Sequence, residues 1–375
     1  MALAPERLPQ TREERLNALH AIDTDVHQDL PPGGAKNLLP YLARTWHPLV
    51  ESGLGFAARG WHNMGSGRME DSVNEKDNLC AGDPDWVLDK LMRKYRVDIG
   101  ILTGTQIGVG IQHNTPFLAA LTSAYNDFVR DHWVRPYDCY KGSIVITPQD
   151  PEAAVAEIHR LGNDKGFVQV LMSSAARIPY GNRIYWPIYK AACDYDLPVA
   201  IHVGAEGTGI ANPPTSVGYP STYLEFHSDH SQTMMGHCTS MLTEGVFEEL
   251  PNLRFAFIEG GVVWAPSIIG RLDRTYRAFK AEVPWLKQLP SEYLVGHLYW
   301  STQPIEEPTD DPQHLLDLLE MMHADRTVIF ATDYPHWDFD NPMTAFSHFP
   351  ASLRRRIFVD NVVDYCGPRI LESHR

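Results

Sequence analysis

Eight times along the chain, a short run rich in β-branched and aromatic residues gives way to an amphipathic stretch. No other feature restricts the fold as much. The short runs are AIDTDV (21–26), VDIGIL (97–102), GSIVIT (142–147), GFVQVLM (166–172), LPVAIHV (197–203), LRFAFIE (253–259), HLYWST (297–302) and RTVIFAT (326–332). Several are continuously apolar, as strands covered on both faces are. Helical stretches follow at 83–95, 115–133, 150–162, 185–196, 231–250, 262–280, 310–324 and 351–367. The first and third open on Asp-Pro, a helix start. Strict β–α alternation implies an α/β protein with right-handed crossovers. Eight units imply a (β/α)8 TIM barrel, whose chemistry sits at the C-terminal ends of its strands. An open doubly wound sheet is the alternative, but the Gly-x-Gly-x-x-Gly signature is missing after the first strand.

One connection breaks the rhythm. About 55 residues separate the first strand from the next helix, far beyond an ordinary βα loop. The segment 28–83 holds Trp46, His47, Arg59, Trp61 and His62, so it reads as a lid or pocket wall over the barrel mouth. With no linker, repeat or low-complexity tract in sight, residues 1–375 read as a single domain.

A formal charge of −15 disfavours nucleic acid or an anionic membrane as partner. No apolar run reaches the length of a membrane span, and the charged N-terminus does not resemble a secretory signal. Five scattered cysteines without a Cys-x-x-Cys pair suggest reduced thiols. A cytoplasmic enzyme acting on a small molecule is the expectation, paired as a homodimer or higher homo-oligomer.

The strand ends carry the chemistry. Asp25 and His27 are two residues apart at the end of the first strand, so they point the same way. His202 ends the fifth strand, Glu259 the sixth and Asp333 the eighth. Each has an ordinary explanation: a turn, a satisfied core histidine, or a cap by Glu259 on the helix after Gly260 and Gly261. In a barrel, however, all five converge. Imidazole nitrogen and carboxylate oxygen together suit zinc first, with manganese or iron as alternatives. The fourth strand, FVQVLM, ends without a Lys or Glu to bridge two ions, so one divalent ion is expected.

The segments IDTDVH, LPVAIHVG, GVFEELPNLRFAFIEGGVVWAPSIIGRLDR and FATDYPHWDFDNP resemble the amidohydrolase-related family. Its members include aminocarboxymuconate-semialdehyde and γ-resorcylate decarboxylases. The resemblance runs from about residue 21 to 366. It implies a metal-dependent barrel with Asp25, His27, His202 and Asp333 as ligands. Two positions depart from the family pattern. Asp25 stands where many members have His, and Glu259 stands where the decarboxylases keep a catalytic His.

Asp333, Glu259 and His336 are the candidate catalytic residues. Arg59 and Arg177 are candidate carboxylate clamps, and Trp61, Trp264, Trp300 and Trp337 are candidate aromatic walls. The carboxylate at Glu259 makes hydrolysis of an amide, ester or lactone the first expectation. Non-oxidative decarboxylation of an unsaturated or aromatic acid is the second. A non-catalytic ligand-binding barrel is the third.

Overall fold

The computed structural model describes residues 11–55, 67–73, 80–104, 112–307 and 309–374. Eight strands form one sheet in sequence order, each paired in parallel with the next. They are β1 (Ile22–Val26), β2 (Ile99–Leu102), β3 (Tyr140–Val145), β4 (Phe167–Ser173), β5 (Val199–His202), β6 (Phe255–Ile258), β7 (Leu298–Ser301) and β8 (Val328–Ile329). Every residue in these strands is buried, because the inner face packs on itself and helices cover the outer face.

β8 is shorter than the apolar run RTVIFAT suggests. Beyond Ile329 the chain turns its hydrogen bonds to β1. Phe330 O accepts from Thr24 N at 3.0 Å, and Tyr334 O accepts from His27 N at 2.8 Å. The buried Asp23 carboxylate accepts from Thr332 N at 3.0 Å and from its hydroxyl. These contacts join the last strand to the first, and the expected (β/α)8 barrel is the fold observed.

The helices start where the sequence places them. Asp83 and Asp150 cap Pro84–Val87 and Pro151–Leu161 with their carboxylates, and proline fills the position that has no donor to satisfy. The stretch read as one helix over 231–250 divides into His230–Thr243 and Val246–Glu249. Gly245 lies between them at φ 78°, a left-handed turn that glycine adopts without penalty.

The C-terminal segment is tied to β3 near the N-terminal end of the barrel. Lys141, early in β3, donates to Glu372 O at 2.6 Å and pairs with His374 Nδ1 at 2.8 Å. Trp300 and Trp264, candidates for a substrate wall, instead pack around Phe257; Trp300 is fully buried and stacks on it at 5.6 Å. Truncating Trp300 to alanine would cost about 3–5 kcal/mol.

Parts of the long insertion pack closely. The turns Gly34–Tyr41 and helix His47–Glu51 bury Leu38 and Val50, and Trp46 meets Phe117 at 5.7 Å between ring centres. Arg68 grips Asp29 with two hydrogen bonds, at 2.7 and 3.0 Å. Beside it, Met69 N donates to Pro335 O at 2.8 Å and Gly67 O accepts from Trp337 N at 3.1 Å. The insertion therefore runs against the loop after β8.

Candidate metal centre

Strand periodicity aligns Asp23, Asp25 and His27 on one face of β1. Asp23 braces the row, since its carboxylate also accepts from Asp25 N at 3.0 Å. Burial pushes the Asp23 carboxyl up to about 7. Thr103 on the β2 side donates to Asp25 Oδ1 at 2.6 Å, which fixes how that carboxylate faces the barrel axis.

The five residues expected to converge do so. Asp25 lies 3.2 Å from His27 Nε2 and 3.1 Å from His202 Nε2. Asp333 Oδ1 is 2.9 Å from His27 Nε2, and Glu259 Oε2 is 3.0 Å from His202 Nε2. The two Nε2 atoms are 3.2 Å apart. Each ring donates its Nδ1 hydrogen to a backbone carbonyl, His27 to Gly104 O at 2.9 Å and His202 to Val203 O at 2.6 Å. In the neutral rings both Nε2 atoms therefore present lone pairs to the same point. Asp333 Oδ2 is buried and has no hydrogen-bond partner. Facing lone pairs, an orphaned carboxylate oxygen and surrounding carboxylates fit a divalent cation.

Electrostatics agree with that fit. Burial alone would raise Asp25, yet His202 and His27 hold its carboxyl well below the usual range. Burial would lower His27, but Asp25 outweighs it, with help from Asp333, and holds the imidazole well above its ordinary value. His202 is opposed by burial too; Asp25 and then Glu259 raise it to about 10. Burial raises the Glu259 carboxyl, and the charge of Asp333 adds to the shift.

Glu259 and Asp333 leave their strands at φ 55° and 59°. Left-handed backbone at a residue other than glycine costs of order 1–3 kcal/mol and concentrates at functional sites. Ser301 Oγ holds the first turn by accepting from Glu259 N at 3.0 Å. Glu259 does not cap the following helix. Glu306 instead holds the turn that leads into that helix, accepting from Val262 N at 2.9 Å and Val263 N at 3.1 Å. It reaches them because Gly261 has no side chain, as a Cβ there would sit 2.2 Å from Glu306 Oε1.

His336 donates from Nδ1 to Asp333 Oδ1 at 2.6 Å and packs 4.4 Å from the His27 ring. Trp337 is half-exposed at the mouth, 5.5 Å from the ring of His227. Arg177, a candidate clamp, is exposed, and its carbonyl accepts from Asn212 Nδ2 at 2.8 Å. Among the described contacts none brings its guanidinium to the cluster. Arg59 and Trp61 lie outside the described residues.

The sequence reading missed one neighbour. After β5, the short helix Tyr223–Ser228 brings His227, and the start of helix His230–Thr243 brings His230, toward Glu259. One ligand atom from each of the three lies within 4.8 Å of the others. The available signal was His-x-x-His, two imidazoles three residues apart in the connection that follows β5.

Comparison with known proteins identifies the family. The γ-resorcylate decarboxylase of Rhodococcus jostii is 25% identical over 281 residues, 70% of this chain and 80% of that protein. The 2-amino-3-carboxymuconate-6-semialdehyde decarboxylase of Dictyostelium discoideum is 24% identical, over 70% of this chain and 68% of its own length. The 5-carboxyvanillate decarboxylase of Novosphingobium aromaticivorans was solved with manganese and 4-hydroxy-3-methoxy-5-nitrobenzoic acid. It superposes with a TM-score of 0.67 at 20% identity, covering 93% of this chain and 96% of that one. No helix among the described residues is long and apolar enough to cross a membrane. The family model for amidohydrolases matches residues 25–362, almost the whole barrel with its cluster, and the chain belongs to that family.

Proposed function

We propose that this chain is a divalent-metal-dependent, non-oxidative carboxy-lyase acting on a small aromatic carboxylic acid. The observation that carries this reading is the pair of buried carboxyl groups bordering one set of imidazole nitrogens. Glu259 stands 3.0 Å from His202 Nε2 and Asp333 stands 2.9 Å from His27 Nε2. β4 ends in Met172 and Ser173, which cannot bridge a second ion. Asp25, His27, His202 and Asp333 would hold one ion. Three carboxylates near two imidazoles favour manganese over zinc, and the manganese in the 5-carboxyvanillate decarboxylase structure supports that order.

The bound ion would supply positive charge to the oxygens of the substrate. Glu259, whose carboxyl is raised by burial, then delivers a proton to the ring carbon that bears the carboxylate. The carbon–carbon bond breaks, its electron pair restores the aromatic ring, and CO₂ leaves. Solvent returns a proton to Glu259. Asp333 is oriented throughout by its hydrogen bond to His336.

This reverses the order of activities read from the sequence. The names of the relatives support decarboxylation, whereas the carboxylate at the end of β6 can serve either reaction. In the hydrolytic reading, Glu259 takes a proton from the attacking water and passes it to the leaving group. One experiment separates the two. Manganese-loaded protein is offered hydroxybenzoates, benzamides and phenyl esters, while CO₂ and released amine or phenol are followed. CO₂ from an aromatic acid is the expected result. Amine or phenol release without CO₂ overturns the proposal in favour of hydrolysis.

A further inference from the structure

A cavity of about 370 Å³ lies between the segments leading into β1 and β2, the loop after β8 and helix Ala351–Arg355. It shares no residue with the metal centre. The chain carries 47 acidic and 32 basic side chains, yet Arg96, Arg354 and Arg355 line this cavity and, among the described residues, no carboxylate does. Tyr95, Met343 and Phe358 give it apolar surface.

The three arginines differ in how far they are already used. Arg355 is committed. It donates to Asp360 Oδ1 at 3.0 Å and to the carbonyls of Leu16 and Leu19 at 2.8 and 2.9 Å. Arg96 reaches His20 Nε2 at 2.6 Å. A guanidinium can only donate, so the imidazole accepts and brings no negative charge. Arg354 Nη2 donates to Pro342 O at 3.5 Å, beyond good hydrogen-bond length, and its guanidinium lies 5.2 Å from the Phe358 ring centre. Its Nε is buried and has no hydrogen-bond partner, an unmet demand that buried donors rarely carry. Among the described contacts, neither Arg96 nor Arg354 has a carboxylate partner.

We propose that this cavity is a binding site for a small organic phosphate monoester. A guanidinium keeps its charge at any physiological pH, so two uncompensated charges line one space. A monoester carries roughly −1.5 to −2 charge near pH 7 and three acceptor oxygens. It can therefore neutralise both arginines and accept from both forks. A single carboxylate offers one charge and two oxygens, and leaves one arginine unanswered. The cavity has the size of a small-molecule site, larger than a bare ion needs, and Tyr95, Met343 and Phe358 can cover the apolar body of the ligand. Pro342 and Met343 lie at the far end of the loop that begins at Asp333, and Tyr95 packs on Phe339 of that loop at 4.8 Å. A bound monoester thus rests against the segment that also carries Asp333 and His336. The proposal does not depend on the decarboxylase reading.

Calorimetry tests it without turnover. Protein carrying one equivalent of manganese is titrated with phenyl phosphate, inorganic phosphate and phthalate in about 0.15 M NaCl, which screens diffuse attraction. Phenyl phosphate should bind at one equivalent per chain, and more tightly than either of the others. Arg354→Gln and Arg96→Gln should each weaken it at least tenfold, the worth of a hydrogen bond between charged groups. Arg354→Lys keeps the charge but not the fork, and should fall between Arg354→Gln and the wild type. Arg96 is exposed, so its variant keeps the test open should Arg354→Gln fail to fold. His202→Ala, which disables the metal centre, should leave phenyl phosphate binding unchanged. Absence of binding overturns the proposal, as does affinity that survives both glutamine variants. Binding lost in His202→Ala assigns the phosphate to the metal centre instead. Equal affinity for inorganic phosphate reduces the cavity to a bare anion hole, and preference for phthalate assigns it to a dicarboxylate; either result overturns the monoester.

Discussion

His27 and His202 point their Nε2 atoms at one another across 3.2 Å, and each has committed its Nδ1 hydrogen to a backbone carbonyl. Two lone pairs so placed repel unless something positive stands between them. Protons or a cation can fill that role. Without a cation, the neighbouring carboxylates hold both imidazoles above their ordinary pKa, His202 at about 10.

The first prediction follows from that competition. The surrounding carboxylates favour the protonated form of each ring in the metal-free protein, and an ion must displace the proton from any nitrogen it binds. Affinity for manganese should rise with pH from neutrality towards about 10. Calorimetry in two buffers of different ionisation enthalpy should find one ion per chain and a net release of protons near pH 7. Binding without proton release would remove the two imidazoles as ligands, and His202→Ala should abolish tight binding.

Asp333→Asn should cut turnover by roughly 10² to 10⁴ and leave the fold intact. Asparagine tolerates the left-handed backbone that Asp333 adopts at φ 59°, so the loop keeps its course. The carboxylate charge next to His27 is lost, and so is a group able to hold a proton. Circular dichroism and activity together check this, and near-wild-type turnover in a folded variant would take Asp333 out of the mechanism.

Much of this site was legible in the sequence because barrel geometry converts sequence order into spatial position. A polar residue closing an apolar run must lie at a strand end, and eight parallel strands bring their ends to one mouth. Asp25, His27, His202, Glu259 and Asp333 were found that way. Helix Tyr223–Ser228 was not legible: it is six residues long and lies in a loop rich in Gly, Pro and Ser, with no apolar period to mark it. His227 and His230 went unnoticed with it. The role of Asp23 was hidden too, because its partner Thr332 is 309 residues away. Arg177 shows the opposite error. A cation after a strand is a plausible clamp, but side-chain direction is not encoded in spacing.

Acid should destabilise the protein through His237. Its Nδ1 accepts from Tyr180 N at 3.1 Å and its Nε2 donates to Ser174 O at 2.8 Å, an arrangement that only the neutral ring satisfies. Burial lowers its pKa to about 4, against about 6.5 in the unfolded chain. The depressed value means the contribution is complete above about pH 6.5 and is lost as pH falls through about 4. The loss should approach about 3 kcal/mol. Denaturant unfolding across pH 4–7 measures it. His237→Gln should be less stable at neutral pH and should lack that part of the slope.

The last prediction concerns Glu259, which the structure relieves of its ordinary explanation. Glu306 accepts the amides of the turn into the next helix and no side chain caps that helix, so capping does not account for a buried carboxyl at Glu259. Two roles remain. As a proton carrier, Glu259 contributes the factor typical of general acid catalysis, and Glu259→Gln should lower turnover by roughly 10² to 10⁴. As an ion ligand through the oxygen 3.0 Å from His202 Nε2, its loss should instead weaken manganese binding. We expect the first result, with one ion per chain retained, because in the proposed ligand set Asp25, His27, His202 and Asp333 would supply two nitrogens and two carboxylates. Glutamine keeps the volume and an acceptor oxygen, so the φ 55° turn and its bond to Ser301 should persist. Metal content measured beside turnover distinguishes the two roles. Glu259→His adds a third arm: an imidazole can also carry a proton, so it should recover CO₂ release lost in Glu259→Gln. If Glu259→Gln releases CO₂ as fast as the wild type with its ion in place, then proton delivery belongs to another group, and Asp333 with His336 becomes the candidate.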